Sequence, residues 1–368
     1  MKKKTSGNAS GKTKAVPVRK TDVTRAIDEL VALCAIPSPS GFTAEVTRHL
    51  SEVFQQLGYA PQRTRKGSVL VDLGGEGAPL ALAAHVDTLG GMVRAVKSNG
   101  RLRMTRIGGF SENTLEGENC TIFTRDGRRY RGALQLNEPS AHVSADVRDA
   151  KRDDTTMEVV VDEKVATPED VQKLGIRAGD FIAFDPRTEV TASGFIKSRH
   201  LDDKASAGIL IALAAWLKEK EITPARRTWL LFTTYEEVGH GGASGLPEEL
   251  TEMISVDMGA VGDDLLTDEH TVSICAKDSR GPYDYAVTTR LIQLAEKKKL
   301  SYAVDIYPSY GSDVEAALSA GYDITHGLIG PGVYASHGYE RTHRDGVENT
   351  LKLLAAYIQL PPEIEPES

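Results

Sequence analysis

The chain has 368 residues, 40% of them hydrophobic, which suits about two domains with buried cores. Acids outnumber bases 52 to 44, a net charge of −8, which argues against a nucleic-acid-binding surface. The three cysteines, Cys34, Cys120 and Cys275, show no CxxC spacing, so neither a disulfide framework nor a thiolate metal site is expected.

Residues 1–20 carry lysines with no apolar core behind them and read as a disordered cationic tail rather than a secretory signal. No apolar run reaches the roughly 20 residues that a membrane span needs. The expected compartment is therefore the cytoplasm, with no membrane partner. Over 21–34, Val23, Ile27, Leu30, Val31 and Cys34 recur at helical spacing, with Thr21 and Asp22 placed to cap the helix. A second amphipathic helix is expected over 43–57, with Val46, Leu50, Val53 and Phe54 inward. Strands follow at 68–73 and 80–86, around the turn Gly74-Gly75-Glu76-Gly77.

From 92 to 193 the texture changes to short β-like runs alternating with turns, with no long amphipathic helix. Such a stretch reads as a small all-β barrel inserted into an α/β domain. The α/β pattern resumes near 201, with an apolar helical run at 208–217 and late helices over 288–299, 312–320 and 346–359. The expected fold is α/β, a mixed sheet flanked by helices, discontinuous over 21–91 and 194–360. Residues 361–368, acidic and Pro-rich, read as a frayed tail.

Residues suited to chemistry fall at element ends. Trp229 to Phe232 is apolar without alternation, as in a strand covered on both faces, and leads to Glu236, Glu237 and a glycine-rich turn. Open α/β sheets bind ligands outside the carboxyl ends of their strands. The strand at 80–86 leads into His85-Val86-Asp87, and 254–258 carries Asp257. Asp202 and Asp203 precede the apolar helical run, and His337 lies in YASHGYERTH. Imidazole and carboxylate together suit divalent transition metals such as zinc.

His85-x-Asp87, Leu201-Asp202-Asp203-Lys204, Glu236-Glu237-Val238-Gly239, Val256-Asp257 and His337 with Glu340 occur in an order that resembles one family. It is that of the dinuclear metallo-aminopeptidases related to glutamyl aminopeptidase and the tetrahedral aminopeptidases. SRHLDDKA and ASHGYERTH look more like the branch associated with the osmoprotectant N-acetylglutaminylglutamine amide. Members usually have Arg where Lys204 stands and a small residue where His200 stands, which bears on the shape of the pocket.

The resemblance implies two metal ions, zinc first with cobalt or manganese as alternatives. Asp202 would bridge them, with His85 and Asp257 on one and Glu237 and His337 on the other. A bridge needs a carboxylate, whose two oxygens can each face one cation. Asp87, two residues beyond His85 on a strand, shares its face and is expected to accept the free imidazole N–H. Glu236 is expected to be the general base. In the wider clan the Asp202–Asp203 peptide is cis. His337 is preferred to His343 because its His-Gly-x-Glu context matches the family's ligand segment. His200 and His240 are candidates for the pocket wall, and His49, His142, His270 and His326 read as ordinary polar residues. Ser309 to Asp313 is read either as a turn near substrate or as a helix cap.

These residues together imply a metal-dependent aminopeptidase acting on short peptides. In the resembling family the insert serves assembly, and dimers build a hollow twelve-subunit particle, so a homo-oligomer is expected. A deacylase or carboxypeptidase would use a similar metal pair, and a non-catalytic assembly module would need no metal. A dinucleotide site at Gly239–Gly245 is disfavoured because Glu236 and Glu237 would repel a pyrophosphate.

Overall fold

The structure, a computed structural model, describes residues 16–361. Most of the expected N-terminal tail and all but the first residue of the expected C-terminal tail lie outside the described residues. Its main sheet runs in the order Gln62–Arg63, Val69–Asp72, Thr228–Thr233, Leu80–His85, Glu252–Val256, Thr325–Val333, Val272–Lys277 and Tyr302–Ile306. A ninth short strand, Gly259–Ala260, pairs with Thr325–Val333 off this path. The three central strands, Thr228–Thr233, Leu80–His85 and Glu252–Val256, are parallel to one another. Thr233 pairs with His85 and Ser255 with Ala83, so their carboxyl ends finish at one level.

All three strands are buried at every position, which explains the absence of hydrophobic alternation. The sheet is mixed because Val69–Asp72 is antiparallel to Thr228–Thr233 and Val272–Lys277 is antiparallel to Thr325–Val333. The helix Leu201–Glu219 is buried from Leu201 through Leu217. A helix apolar on all sides belongs between layers, and this one packs against Lys20–Cys34, Arg344–Tyr357 and the sheet. It begins earlier than the apolar run, and Asp202 and Asp203 in its first turn depart from helical backbone angles.

Six strands, from Gly90–Val96 through Phe181–Phe184, close into a barrel. Its first and last strands pair directly, Gly91 with Ile182 and Met92 with Phe181. The barrel has its own core, including Leu102, Ile122, Leu134, Val159 and Ile182, all fully buried. Its bounds differ slightly from 92–193. The first strand starts at Gly90, and beyond Phe184 the chain has already rejoined the catalytic body. There Glu189–Val190 and Phe195–Ser198 form a small sheet with Glu340–His343.

Of the two residues expected to cap the first helix, Asp22 does so and Thr21 does not. Arg19, not Thr21, is its N-cap, and the Asp22 carboxylate accepts the Arg19 backbone N–H at 2.6 Å. Among the described residues no helix is long and apolar enough to cross a membrane.

Candidate metal centre

The carboxyl edge of the three parallel strands carries the candidate residues. His85 ends its strand with Asp87 two residues beyond it, and Asp257 follows its own strand directly. Thr228–Thr233 does not continue to the two glutamates; Glu236–Val238 is a single 3-10 turn. With about three residues per turn, adjacent side chains diverge there as well. Asp202 reaches the same edge from the long helix, and His337 from the loop after Thr325–Val333, with a φ of +63°.

Asp202 lies at the middle. Its Oδ1 is 2.9 Å from His85 Nε2, and its Oδ2 is 3.3 Å from His337 Nε2. His337 Nε2 is in turn 3.7 Å from Glu237 Oε2. His85, Asp202 and Asp257 each offer a ligand atom within 4.8 Å of the others, and all three are buried. Two donors that share a cation at about 2.0–2.2 Å stand roughly 3–4 Å apart, and the His85–Asp202, Asp202–His337 and His337–Glu237 distances are of that order. Asp257 Oδ1 is buried without a hydrogen-bond partner, an acceptor waiting for positive charge. The residues present therefore fit divalent cation binding.

Asp87 differs from its expected part. His85 Nδ1 donates to the Asp87 backbone carbonyl at 2.9 Å, while the Asp87 carboxylate stands 3.7 Å away. The carbonyl thus fixes the tautomer that leaves Nε2 free as a ligand. The Asp87 carboxylate instead accepts the backbone N–H groups of Glu236 and Glu237 at 3.2 and 3.3 Å, and the Ser40 hydroxyl at 2.5 Å. It anchors the turn that presents both glutamates.

The Asp202–Asp203 peptide is cis, as the resemblance implies. Glu340 Oε2 accepts the Asp202 N–H at 3.1 Å, and its Oε1 accepts the His337 N–H at 3.0 Å. One carboxylate thereby sets the backbone of both ligands. His337 Nδ1 bonds the carbonyl of Gly109, so the barrel domain helps to orient a catalytic-body histidine. His343, the rival, is the N-cap of Arg344–Tyr357 and takes no part here.

A cleft of about 860 Å³ opens over these groups, lined by Glu236, Glu237, Asp257, His337, His240 and Tyr310 among others. His240 stacks on Tyr235 at 5.0 Å. His200 lies elsewhere, in a small side cavity bordered by Phe184 and Arg199. Burial, helped by the charges of Lys204 and Arg199, lowers it to about 3, so it is neutral.

Sequence reasoning missed Ser40, Gly109 and the part played by Asp313, which accepts the Thr233 hydroxyl at 2.5 Å. Of the turn at 309–313, Ser309 to Ser312 line the cleft. A Cβ on Gly241 would come 2.1 Å from Asp313 Oδ1, and one on Gly242 2.2 Å from the Asp313 carbonyl. These glycines permit close packing; they do not cradle a phosphate.

The electrostatics are those of a crowded acidic floor. Burial, then the charge of Asp202, pushes Glu237 up to about 8 and Asp257 up to about 7. Burial and the charge of Asp257 raise Glu236 well above the carboxylate range. Burial alone would raise Asp202 too, but the hydrogen bonds from His337 and His85 hold it well below that range.

In metal-free protein the raised acids have a definite sign. The folded chain holds protons on Glu237 and Asp257 that an unfolded chain releases near pH 4. Stability is then fully present below about pH 4 and is lost as pH rises through about 7 to 8. The melting temperature of chelator-treated protein should fall steadily across that window, and added zinc should flatten the decline. A metal-free melting temperature that rose with pH would contradict the crowding.

A sequence profile described as M42 glutamyl aminopeptidase matches residues 67–353. The chain is 46% identical to YhfE of Bacillus subtilis (strain 168) over 343 residues, covering 93% of this chain and 99% of that protein. It is 27% identical to the glutamyl aminopeptidase of Lactococcus lactis over 199 residues, covering 53% of this chain and 56% of that one. Among solved structures, the fold is similar to a TET aminopeptidase from Thaumarchaeota archaeon SCGC AB-539-E09. That match has a TM-score of 0.83 at 18% identity, covering 93% of this chain and 98% of that one. The TET1 peptidase of Pyrococcus horikoshii gives a TM-score of 0.79 at 21% identity, covering 90% and 99%. With this match across most of its length and a strand-end cluster suited to cations, the chain belongs to the M42 glutamyl aminopeptidase family and is a metallo-aminopeptidase.

Proposed function

We propose that the protein removes N-terminal residues from short, unblocked peptides, using two divalent cations held by His85, Asp202, Asp257, Glu237 and His337. Zinc is the first candidate, with cobalt and manganese as alternatives. The observation that carries this reading is Asp202, whose two oxygens face two different imidazoles. Bound there, the cations would polarise the peptide carbonyl and lower the pKa of water toward about 7.

The chain's own residues supply the rest. Glu236 lines the cleft, with its Oε2 3.8 Å from His85 Nε2. It takes the proton of the attacking water and passes it to the leaving amine. Asp87 and Ser40 keep Glu236 and Glu237 in place. An open position on the cations beside a carboxylate can hold a free α-amine through its lone pair, which an acylated nitrogen does not offer.

That last point yields the test of substrate class. Gln-Gln-amide should be cleaved readily, and its N-acetylated form, the osmolyte itself, should be cleaved poorly. This would place the enzyme after a deacetylation step in osmolyte turnover. Faster hydrolysis of the acetylated compound would favour a deacylase in place of an aminopeptidase.

We propose further that the chain works as a homo-oligomer in the cytoplasm. Supporting this, the similar TET1 peptidase assembles into a tetrahedron or a large octahedral shell. Leu266, Val143 and Tyr285 are large apolar side chains exposed by 76, 82 and 85%, surface that a partner subunit could cover. All three cysteines are free, as suits a reducing compartment. Light scattering should give a multiple of the 39.8 kDa chain mass; a monomer would remove the assembly proposal.

A further inference from the structure

Away from the cleft, His270, His343 and Asp345 each bring one ligand atom within 4.8 Å of the others. None of the three lines the cleft. They come from the loop before Val272–Lys277, the end of Glu340–His343 and the first turn of Arg344–Tyr357. His270 Nδ1 and His343 Nδ1 stand 3.0 and 3.2 Å from the same oxygen, Asp345 Oδ2.

The contacts of His343 define its tautomer. The Ser193 carbonyl, 2.9 Å from Nε2, can only accept, so Nε2 carries the hydrogen. The Asp345 backbone N–H donates to Nδ1 at 3.0 Å, so Nδ1 carries the lone pair. That lone pair also faces a carboxylate oxygen at 3.2 Å. Two acceptors so close repel unless positive charge stands between them. An imidazole whose far N–H is held by a backbone carbonyl is oriented as a metal-binding histidine usually is. Two imidazole nitrogens and one carboxylate oxygen are a donor set for zinc, nickel or copper.

The simpler account is a helix cap. His343 is the N-cap of Arg344–Tyr357, and an acid in the first turn complements the helix dipole. That account covers His343 and Asp345. It leaves out His270, which comes from a separate loop, points its Nδ1 at the same oxygen and lies 4.2 Å from the His343 ring.

We propose that His270, His343 and Asp345 form a divalent transition-metal site distinct from the cleft. The remaining positions are open to water, because the side chains of His270 and Asp345 are 43 and 53% exposed. The ion would take the Nδ1 lone pair now shared with the Asp345 N–H. The positive end of the helix opposes any cation, so this site binds more weakly than the buried centre. Its effect is mechanical. A Cβ on Gly194 would lie 2.6 Å from His343 Nε2, so the chain returning from the barrel packs directly on this ring. A metal there ties the loop before Val272–Lys277, which carries His270, to the start of the last helix.

The test is equilibrium dialysis of the full chain against buffered zinc, with metal counted per chain. The wild type should hold one zinc more than His270→Ala and one more than Asp345→Ala, with peptide turnover alike in all three. His343 is left intact because it caps the helix. The readout is a difference, so it stands whatever number the cleft holds. His85→Ala should lower the count, and adding His270→Ala to it should remove one more. Equal zinc in the wild type and both single variants would overturn the site and leave only a hydrogen-bonded cap.

Discussion

Glu236→Gln should keep its metal and lose turnover by about 10²–10⁴-fold, the usual contribution of general acid–base catalysis. The change is isosteric and leaves the backbone of the turn untouched, so Asp87 still accepts the N–H groups of residues 236 and 237. The side chain keeps its place at the cleft but loses the ability to take a proton. Glu237→Gln should do the opposite and weaken metal binding, because Glu237 lies 3.7 Å from His337 Nε2. Metal analysis beside steady-state kinetics separates the two. Metal lost from Glu236→Gln and kept in Glu237→Gln would reverse the roles.

Asp202→Ala should empty the centre more completely than any other single ligand change. Removing Asp257 or His337 deprives one half of a donor. Removing Asp202 deprives both halves, since its Oδ1 faces His85 and its Oδ2 faces His337. It also removes the group whose hydrogen bonds and charge raise His337 to about 10 and His85 well above an ordinary imidazole, against the effect of burial. Purified Asp202→Ala should hold neither ion at stoichiometry and show no measurable peptide hydrolysis. Full metal occupancy in that variant would end the bridging assignment, whatever happened to activity.

Much of this centre was legible in the chain because it is built from strand ends. Leu80–His85, Thr228–Thr233 and Glu252–Val256 announce themselves as apolar runs, and a parallel arrangement must bring their carboxyl ends together. The harder parts depend on contacts distant in sequence. No local pattern shows that His85 Nδ1 turns to the carbonyl of Asp87, or that the freed carboxylate gathers the N–H groups of residues almost 150 positions on. Ser40, and the bond from the Thr233 hydroxyl to Asp313, went unread for the same reason. The far end of the barrel is hard to read because 185–198 is β-like in composition; the last barrel strand ends at Phe184, and Phe195–Ser198 pairs with Glu340–His343 instead. The cap of the first helix went to Arg19 because Asp22 folds back onto its backbone, a geometry that Thr21 resembles in type alone.

The barrel's first and last strands pair with each other, and this affects how the chain folds. His85 and Asp202 are 117 positions apart, a separation at which a flexible loop loses considerable entropy on closing. Once the barrel has formed, Gly91 and Ile182 are neighbours, and the effective loop between His85 and Asp202 shortens to about 26 residues, six before the barrel pairing and 20 after it. Each halving of a loop recovers about 0.6 kcal/mol, so a preformed barrel relieves the centre of roughly 1–2 kcal/mol of closure cost. A β domain of more than 90 residues can thus sit between His85 and Asp202 and leave a closure cost close to that of a loop about a quarter as long.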